Sequence, residues 1–279
     1  MNTGRPIDHI VLAVHDLDAA AAVYQELGFT LTPRATHEDR MGTSNRIAQF
    51  AGKNFIEILE VDRPDKLEPH DFSKEPPFFS FGGQSKALLE EREGISMLVF
   101  AGEDAHADAA RFNAAGVPTY EVFDFDRKAR LPGGDEVTVS FSLTFATSPD
   151  MPEIAFFVCQ NRAPQYFWKP EFQQHENGAQ VICAVYIASP DPARDAAFVS
   201  RMFDGEVSGI DGGKAVACGA GQEVRILTPE AAMERDSSLK LTSECSPVFV
   251  GIALTSREPR VTTPAAAACG IFIEWIEIS

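Results

Sequence analysis

One short strand is written twice, near opposite ends of this chain. Residues 54–61 read NFIEILEV and residues 271–278 read IFIEWIEI. Phe55 aligns with Phe272, Ile56 with Ile273, Glu57 with Glu274 and Glu60 with Glu277. Side chains alternate along an extended strand, so Glu57 and Glu274 take the face opposite Ile56, Ile58 and Ile273. An acidic residue interrupting so apolar a run is what a strand lining a polar cavity looks like. A strand repeated this way also points to a chain built from copies of one small unit.

Three further segments share a common start. They are IDHIVLAVHDLDAAAAVYQELGF (7–29), GISMLVFAGEDAHADAARFNAAGV (94–117) and QVICAVYIASPDPARDAAFVSRMFDGEV (180–207). Each opens with an apolar, β-branched run. Each then offers an N-capping aspartate: Asp16 or Asp18, Asp104, and Asp191 followed by Pro192. About three turns of alanine-rich helix follow, predicted over 17–27, 105–115 and 192–203. A glycine closes each helix: Gly28, Gly116 and Gly205.

Strand-like segments come after each helix. In the first unit they are FTLTPRAT, SNRIAQF and NFIEILEV. In the second they are VPTYEVFDFD, EVTVSFSLTFAT and EIAFFVCQ, and in the third GEVSGI, KAVACGA and EVRILT. The unit reads strand, helix, three strands. A fourth, over roughly 248–279, keeps only its first and last strands and is read as truncated. One helix per unit argues against a doubly wound parallel sheet. The expected class is α+β, made of repeated βαβββ modules. The expected division is an N-terminal pair of modules over 1–162 and a C-terminal part over 163–279.

This grammar resembles the vicinal oxygen chelate superfamily, and within it the glyoxalase-like branch. The resemblance rests on DHIVLAVHDLDAA, on THEDRMGTSNRIAQF followed by NFIEILEV, and on FFVCQNRAPQYFWKPEFQQHENGA. It implies that modules pair into curled, half-open mixed sheets enclosing a metal and a substrate. It also implies that a histidine on a first strand and a glutamate on a last strand hold one divalent ion. His9 and Glu57 stand at those positions. Sequence alignment puts Ser96 and Phe156 at the matching places in module two, and neither is a good ligand. The branch often has a histidine where this chain has Asn161.

Bulk properties narrow the partners. A net charge of −17 disfavours nucleic acid and anionic membrane. No segment approaches the ~18 apolar residues of a membrane span, and the N-terminus does not read as a signal peptide. Five scattered cysteines without a CxxC pair suit a reduced, cytoplasmic setting. The expected partner is a small-molecule ligand, with a homodimer left open.

The candidate chemistry gathers in module one. His9 and Glu57 are the candidate catalytic pair. An imidazole nitrogen and a carboxylate suit Fe, Mn, Ni or Zn; the alternative is a metal-free pocket where they bond each other or a substrate. His37, Thr43 and Asn45 are candidate substrate-binding residues around Gly42, or else parts of a plain turn. Trp168 and His175, in the segment after module two, are further candidate substrate-binding residues, one or the other expected to close the cavity; His175 alternatively only stabilises its turn. Phe78, Phe79 and Phe81 either pin a linker to the sheet or wall the cavity. Arg127 and Arg130 offer charge for an anion, or are ordinary surface residues.

Two functions fit these readings. One is an enzyme of isomerase, lyase or dioxygenase type acting on a small oxygenated molecule. The other is a non-catalytic binder, as in antibiotic-sequestering members of the bleomycin-resistance type.

Overall fold

The structure is a computed structural model, described over residues 4–130, 136–258 and 260–278. The first unit comprises β1 (Ile7–Val14), α1 (Leu17–Glu26), β2 (Ala35–Thr36), β3 (Ser44–Gln49) and β4 (Phe55–Glu60). A linker helix, α2 (Phe81–Leu89), leads to the second unit. That unit is β5 (Gly94–Gly102), α3 (Ala105–Ala114), β6 (Phe123–Arg130), β7 (Glu136–Ala146) and β8 (Ala155–Asn161). The third has β9 (Ala179–Ala188), α4 (Pro192–Phe203), β10 (Val207–Ile210), β11 (Gly213–Ala217) and β12 (Glu223–Leu227). After α5 (Pro229–Arg235), β13 (Val248–Ser256) and β14 (Phe272–Glu277) form the truncated fourth.

The three module helices start where capping chemistry places them. Asp16 accepts from the N–H groups of Asp18 and Ala19, Asp104 from Ala107, and Asp191 from Arg194. Gly28 and Gly116 take positive φ just after α1 and α3. The third stop differs from expectation. Asp204, at φ 55°, adopts the left-handed conformation, and Gly205 does not. One other reading changes. FTLTPRAT yields only the two-residue β2, because Pro33 interrupts its donors. The linker helix begins at Phe81, where Ser80 caps it. The Thr228 side chain, accepting from the Ala231 N–H, caps α5.

The first two units build one mixed sheet in the order β2-β3-β4-β1-β5-β8-β7-β6; the others build a second, β10-β11-β12-β9-β13-β14. Within each unit the first and last strands run parallel, and β1 pairs with β5 antiparallel, as β9 does with β13. Ile47 on β3 and Phe125 on β6, close to opposite edges of the first sheet, line the same cavity. The sheet is therefore strongly curled. Its convex face packs against the second sheet and the helices in one apolar layer that includes Ile10, Ile56, Phe156, Val185, Phe198 and Phe249.

The four first strands share an irregularity. Where β1 meets β5, Asp8 and Ser96 are each skipped in the pairing; where β9 meets β13, Cys183 and Val250 are skipped. Each is a β-bulge, and all four fall at the same place in the repeat. Counting from the bulge makes His9, Met97, Ala184 and Gly251 equivalent. The strands paired alongside make Glu57, Phe157, Arg225 and Glu274 equivalent. The repeated strand motif is thus a true structural repeat. The matching of His9 to Ser96 and Glu57 to Phe156 is out by one residue: Ser96 corresponds to Asp8, and Phe156 points into the apolar layer.

Candidate active site

The concave face of the first sheet encloses a cavity of about 300 Å³. Phe55, Phe81, Phe125, Phe141, Phe157, Phe167 and Trp168 supply its aromatic wall, and Asp8, His9, His37, Asn45 and Glu57 its polar end. Glu57 is 5% exposed and His9 4%.

Every polar group here is held in a definite orientation. Asn45 Nδ2 donates to Glu57 Oε1 at 2.5 Å and lies 3.2 Å from His37 Nε2. His37 Nε2 is 3.5 Å from the same carboxylate oxygen, while its Nδ1 meets Thr43 Oγ1 at 2.8 Å. The amide hydrogen aimed at Nε2 places the imidazole proton on Nδ1, donating to Thr43. The other carboxylate oxygen, Oε2, stands 3.6 Å from His9 Nε2, beyond hydrogen-bond range. Asn45 Oδ1 is buried with no hydrogen-bond partner among the described residues, an acceptor beside Glu57 for a donor on a ligand.

His9 is fixed from the other side by Asp8, whose Oδ1 accepts from Nδ1 at 2.5 Å. Adjacent residues of a regular strand point to opposite faces and cannot make this contact; the bulge at Asp8 permits it. The His9 ring also stacks on Phe55, with centroids 4.2 Å apart, and meets Phe157 edge-on. The loop carrying His37 turns at Gly42, φ 66°, where a Cβ would lie 2.8 Å from the Arg63 carbonyl oxygen. Arg63 Nη2 donates to the carbonyls of His37 and Thr43, closing that loop.

The expected residues divide by role. His9, His37, Asn45, Glu57 and Trp168 line the cavity. Thr43 is buried behind it and orients His37. His175 lies elsewhere, between Phe29 and Phe50, with Nδ1 accepting from the Thr30 N–H and Nε2 donating to the Gln49 carbonyl. Burial lowers its pKa below the ordinary histidine value. Phe81 walls the cavity, touching His37 and Phe157, whereas Phe78 and Phe79 pack on Phe123, Tyr120 and Phe145. Asn161 lines the cavity, and its Oδ1 accepts from the Ala163 N–H. The side chains of Arg127 and Arg130 lie outside the described residues.

Asp8, Lys53 and Gln49 belong to the site although no sequence pattern marks them. Gln49 donates to the Phe167 carbonyl and accepts from the Lys169 N–H, holding the segment after β8 across the cavity. Cys159, also in the wall, has its thiol pKa raised well above the ordinary value, first by burial and then by Asp8 and Glu57.

A divalent ion of the kind the resemblance implies needs donors from both repeats. His9 Nε2 and Glu57 Oε2 are available in the first. Their counterparts Met97 and Phe157 bring no nitrogen or oxygen donor. No group of three or more His, Cys, Asp or Glu among the described residues is placed to hold an ion, whereas catalytic centres normally use about three protein ligands. The donor set does not fit such a centre.

On the counterpart face of the second sheet the glutamate is paired. Tyr186 hydrogen-bonds Glu274, Arg225 Nη1 donates to the Tyr186 hydroxyl at 2.7 Å, and Arg235 from α5 reaches Glu274 at 3.2 Å. Tyr186 has a pKa above the ordinary tyrosine value through burial and then the Glu274 hydrogen bond. Glu274 thus neutralises arginines in the place where Glu57 faces a cavity.

Paired βαβββ repeats curled around a cavity with a strand glutamate define the glyoxalase-like class of the vicinal oxygen chelate proteins. This chain belongs to the glyoxalase-like domain family, whose profile matches residues 7–203 and so runs on into the third repeat. A search of curated proteins finds no significant match. Among solved structures, a hypothetical protein from Staphylococcus aureus superposes with a TM-score of 0.73 at 15% identity, over 98% of this chain and 99% of that one. The Mn(II)-bound glyoxalase from Novosphingobium aromaticivorans gives 0.50 at 16% identity, over 90% and 66% respectively. A mutant 4-hydroxymandelate synthase from Streptomyces coelicolor gives 0.50 at 14%, over 91% and 71%. At such identities the likeness is one of fold, which hosts varied chemistry.

Proposed function

We propose that this protein is an enzyme that moves a proton on a small, largely apolar carbonyl compound, as an isomerase or lyase does. One observation carries the reading. Glu57 is buried in an aromatic cavity with one carboxylate oxygen anchored by Asn45 and the other open toward His9. A fixed carboxylate with one open oxygen suits a general base. In the proposed step Glu57 Oε2 takes a proton from the carbon next to the carbonyl. The C–H electron pair forms the carbon–carbon double bond of an enolate, and the carbonyl π pair moves to oxygen. Protonated His9, its Nδ1–H held by Asp8, gives its Nε2 proton to that oxygen. Where the deprotonated carbon bears a hydroxyl, His9 then takes that hydroxyl proton as the new carbonyl forms and Glu57 delivers its proton to the former carbonyl carbon, completing an isomerisation. Where the next carbon bears a leaving group, His9 takes back the enol proton, the carbonyl re-forms and the group departs with its bond pair and the Glu57 proton, completing a lyase reaction. Every proton in this sequence is taken or given by a side chain of the protein, and Glu57 and His9 suffice for both transfers.

The test is deuterium wash-in. Phenylpyruvate in D₂O, followed by NMR, should lose its α-carbon protons faster with the protein than without. Glu57→Gln should slow that exchange by about 10²–10⁴-fold while leaving the fold intact. Exchange at the wild-type rate in the variant rules Glu57 out as the base. The second reading, a non-catalytic binder, is favoured by the apolar Met97 and Phe157. Tight binding of a probe that shows no exchange supports it and defeats the first.

A further inference from the structure

Resting on the reading that this cavity is the working site, we infer that its ligand is a small aromatic carboxylic acid, with the carboxylate at the rim on Lys53 and its reactive carbon at Glu57. Lys53 is the one lysine or arginine among the cavity-lining residues, and its ammonium lies 5.2 Å from the Trp168 ring centroid. The backbone there is set unusually: Lys53 has φ 64°, left-handed for a non-glycine residue, and its N–H bonds the Phe50 carbonyl. The preceding Gly52 N–H bonds the Gln180 carbonyl, pinning the turn to β9. The lysine is thus presented at the mouth by a fixed turn.

The space between the two ends is shaped for a ring. Lys53 precedes Glu57 by four residues on the approach to β4, which separates their Cα atoms by roughly 10–13 Å. Phe55 lies between them. Its ring contacts Phe167 at 5.1 Å and Trp168 at 6.0 Å, and Phe157 stands edge-on to His9 beyond. Aromatic rings prefer such tilted and edge-on neighbours. A single rim cation, with Asp8 and Glu57 at the depth, favours a ligand with one negative charge over a multiply charged one.

Calorimetric titration of the full chain with 3-phenylpropanoate, 3-phenylpropanamide and hexanoate tests this. The aromatic acid should bind roughly two- to fivefold tighter than its amide, the range for an exposed ion pair. It should also bind more tightly than hexanoate. Lys53→Met should erase the preference for acid over amide; Lys53 is exposed, so the substitution leaves the core intact. An acid preference that survives Lys53→Met, an amide that binds as well as the acid, or hexanoate equal to the aromatic acid overturns the inference, as does no binding of the aromatic acid at millimolar concentration. The outcomes separate from those of the catalytic reading. A Lys53-dependent acid preference without proton exchange sinks the enzyme and keeps the ligand class. Exchange without that preference does the opposite.

Discussion

Asp8 and His9 show how one residue out of phase alters a site. Because the bulge turns Asp8 toward the same side as His9, the imidazole is oriented by its own chain neighbour. Asp8→Ala should therefore slow proton exchange by about ten- to a hundredfold, the range seen for partners that orient a working histidine. Thermal melting should change little, and a variant with wild-type exchange would remove Asp8 from the proposal. His175 gives a prediction about pH. Its Nδ1 accepts the Thr30 N–H, so protonating the ring breaks that bond. Burial depresses the folded pKa below that of the unfolded chain. The folded state then binds fewer protons than the unfolded state as pH falls through ~6.5, and stability is lost from there downward. Melting temperature should drop between pH 7.5 and 5, and His175→Gln should flatten part of that slope. His70, lowered by burial with Nδ1 accepting from Ser80, adds in the same direction.

The elements follow local chemistry closely, with α4 the informative departure. Its aspartate cap and Pro192 fix the start, but the chain turns at Asp204, one residue before the glycine. A left-handed conformation at a residue with a side chain costs roughly 1 kcal/mol relative to glycine. Asp204→Gly should stabilise the protein by about 0.5–1 kcal/mol in a denaturant titration. The Asp204 carboxylate does lie 3.7 Å from Arg111, but that ion pair faces solvent, so removing it offsets little. An unchanged or lowered midpoint would show that the turn is held for another reason.

Across the whole molecule, the two sheets share one apolar layer. Phe156 from β8 sits between Phe198 of α4 and Phe249 of β13, fully buried. Phe156→Ala should cost about 3–5 kcal/mol. Since the ring touches elements of both sheets, near-ultraviolet circular dichroism and calorimetry should lose both sheets in one transition at lower temperature. Two separated transitions would show that the sheets melt independently. The paired glutamates test which sheet does the work. Glu57→Gln should slow proton exchange on phenylpyruvate far more than Glu274→Gln, because Glu274 is engaged by Tyr186, Arg225 and Arg235 instead of facing a cavity. The reverse order would move the working site to the second sheet.

Repeats, caps and alternation are local properties, and the sequence carries them. The three helices stand where Asp16, Asp104 and Asp191 place them, and NFIEILEV and IFIEWIEI are equivalent strands facing the same way in their sheets. The gathering of His9, His37, Asn45 and Glu57 is also legible, since polar residues inside apolar, strand-prone runs have few other places to go. What the sequence does not determine depends on register and long-range packing. A bulge shifts alternation by one residue without a compositional mark, so Asp8 is invisible in the sequence as the partner of His9, and Ser96 aligns with the wrong neighbour. His175 reads like a cavity residue, yet the path of the chain buries it between Phe29 and Phe50. Tertiary structure alone decides that Glu57 opens onto a cavity while Glu274 closes on arginines. The difference lies in what packs above each strand: a ring of aromatics around empty space in the first sheet, and α5 with its Arg235 in the second.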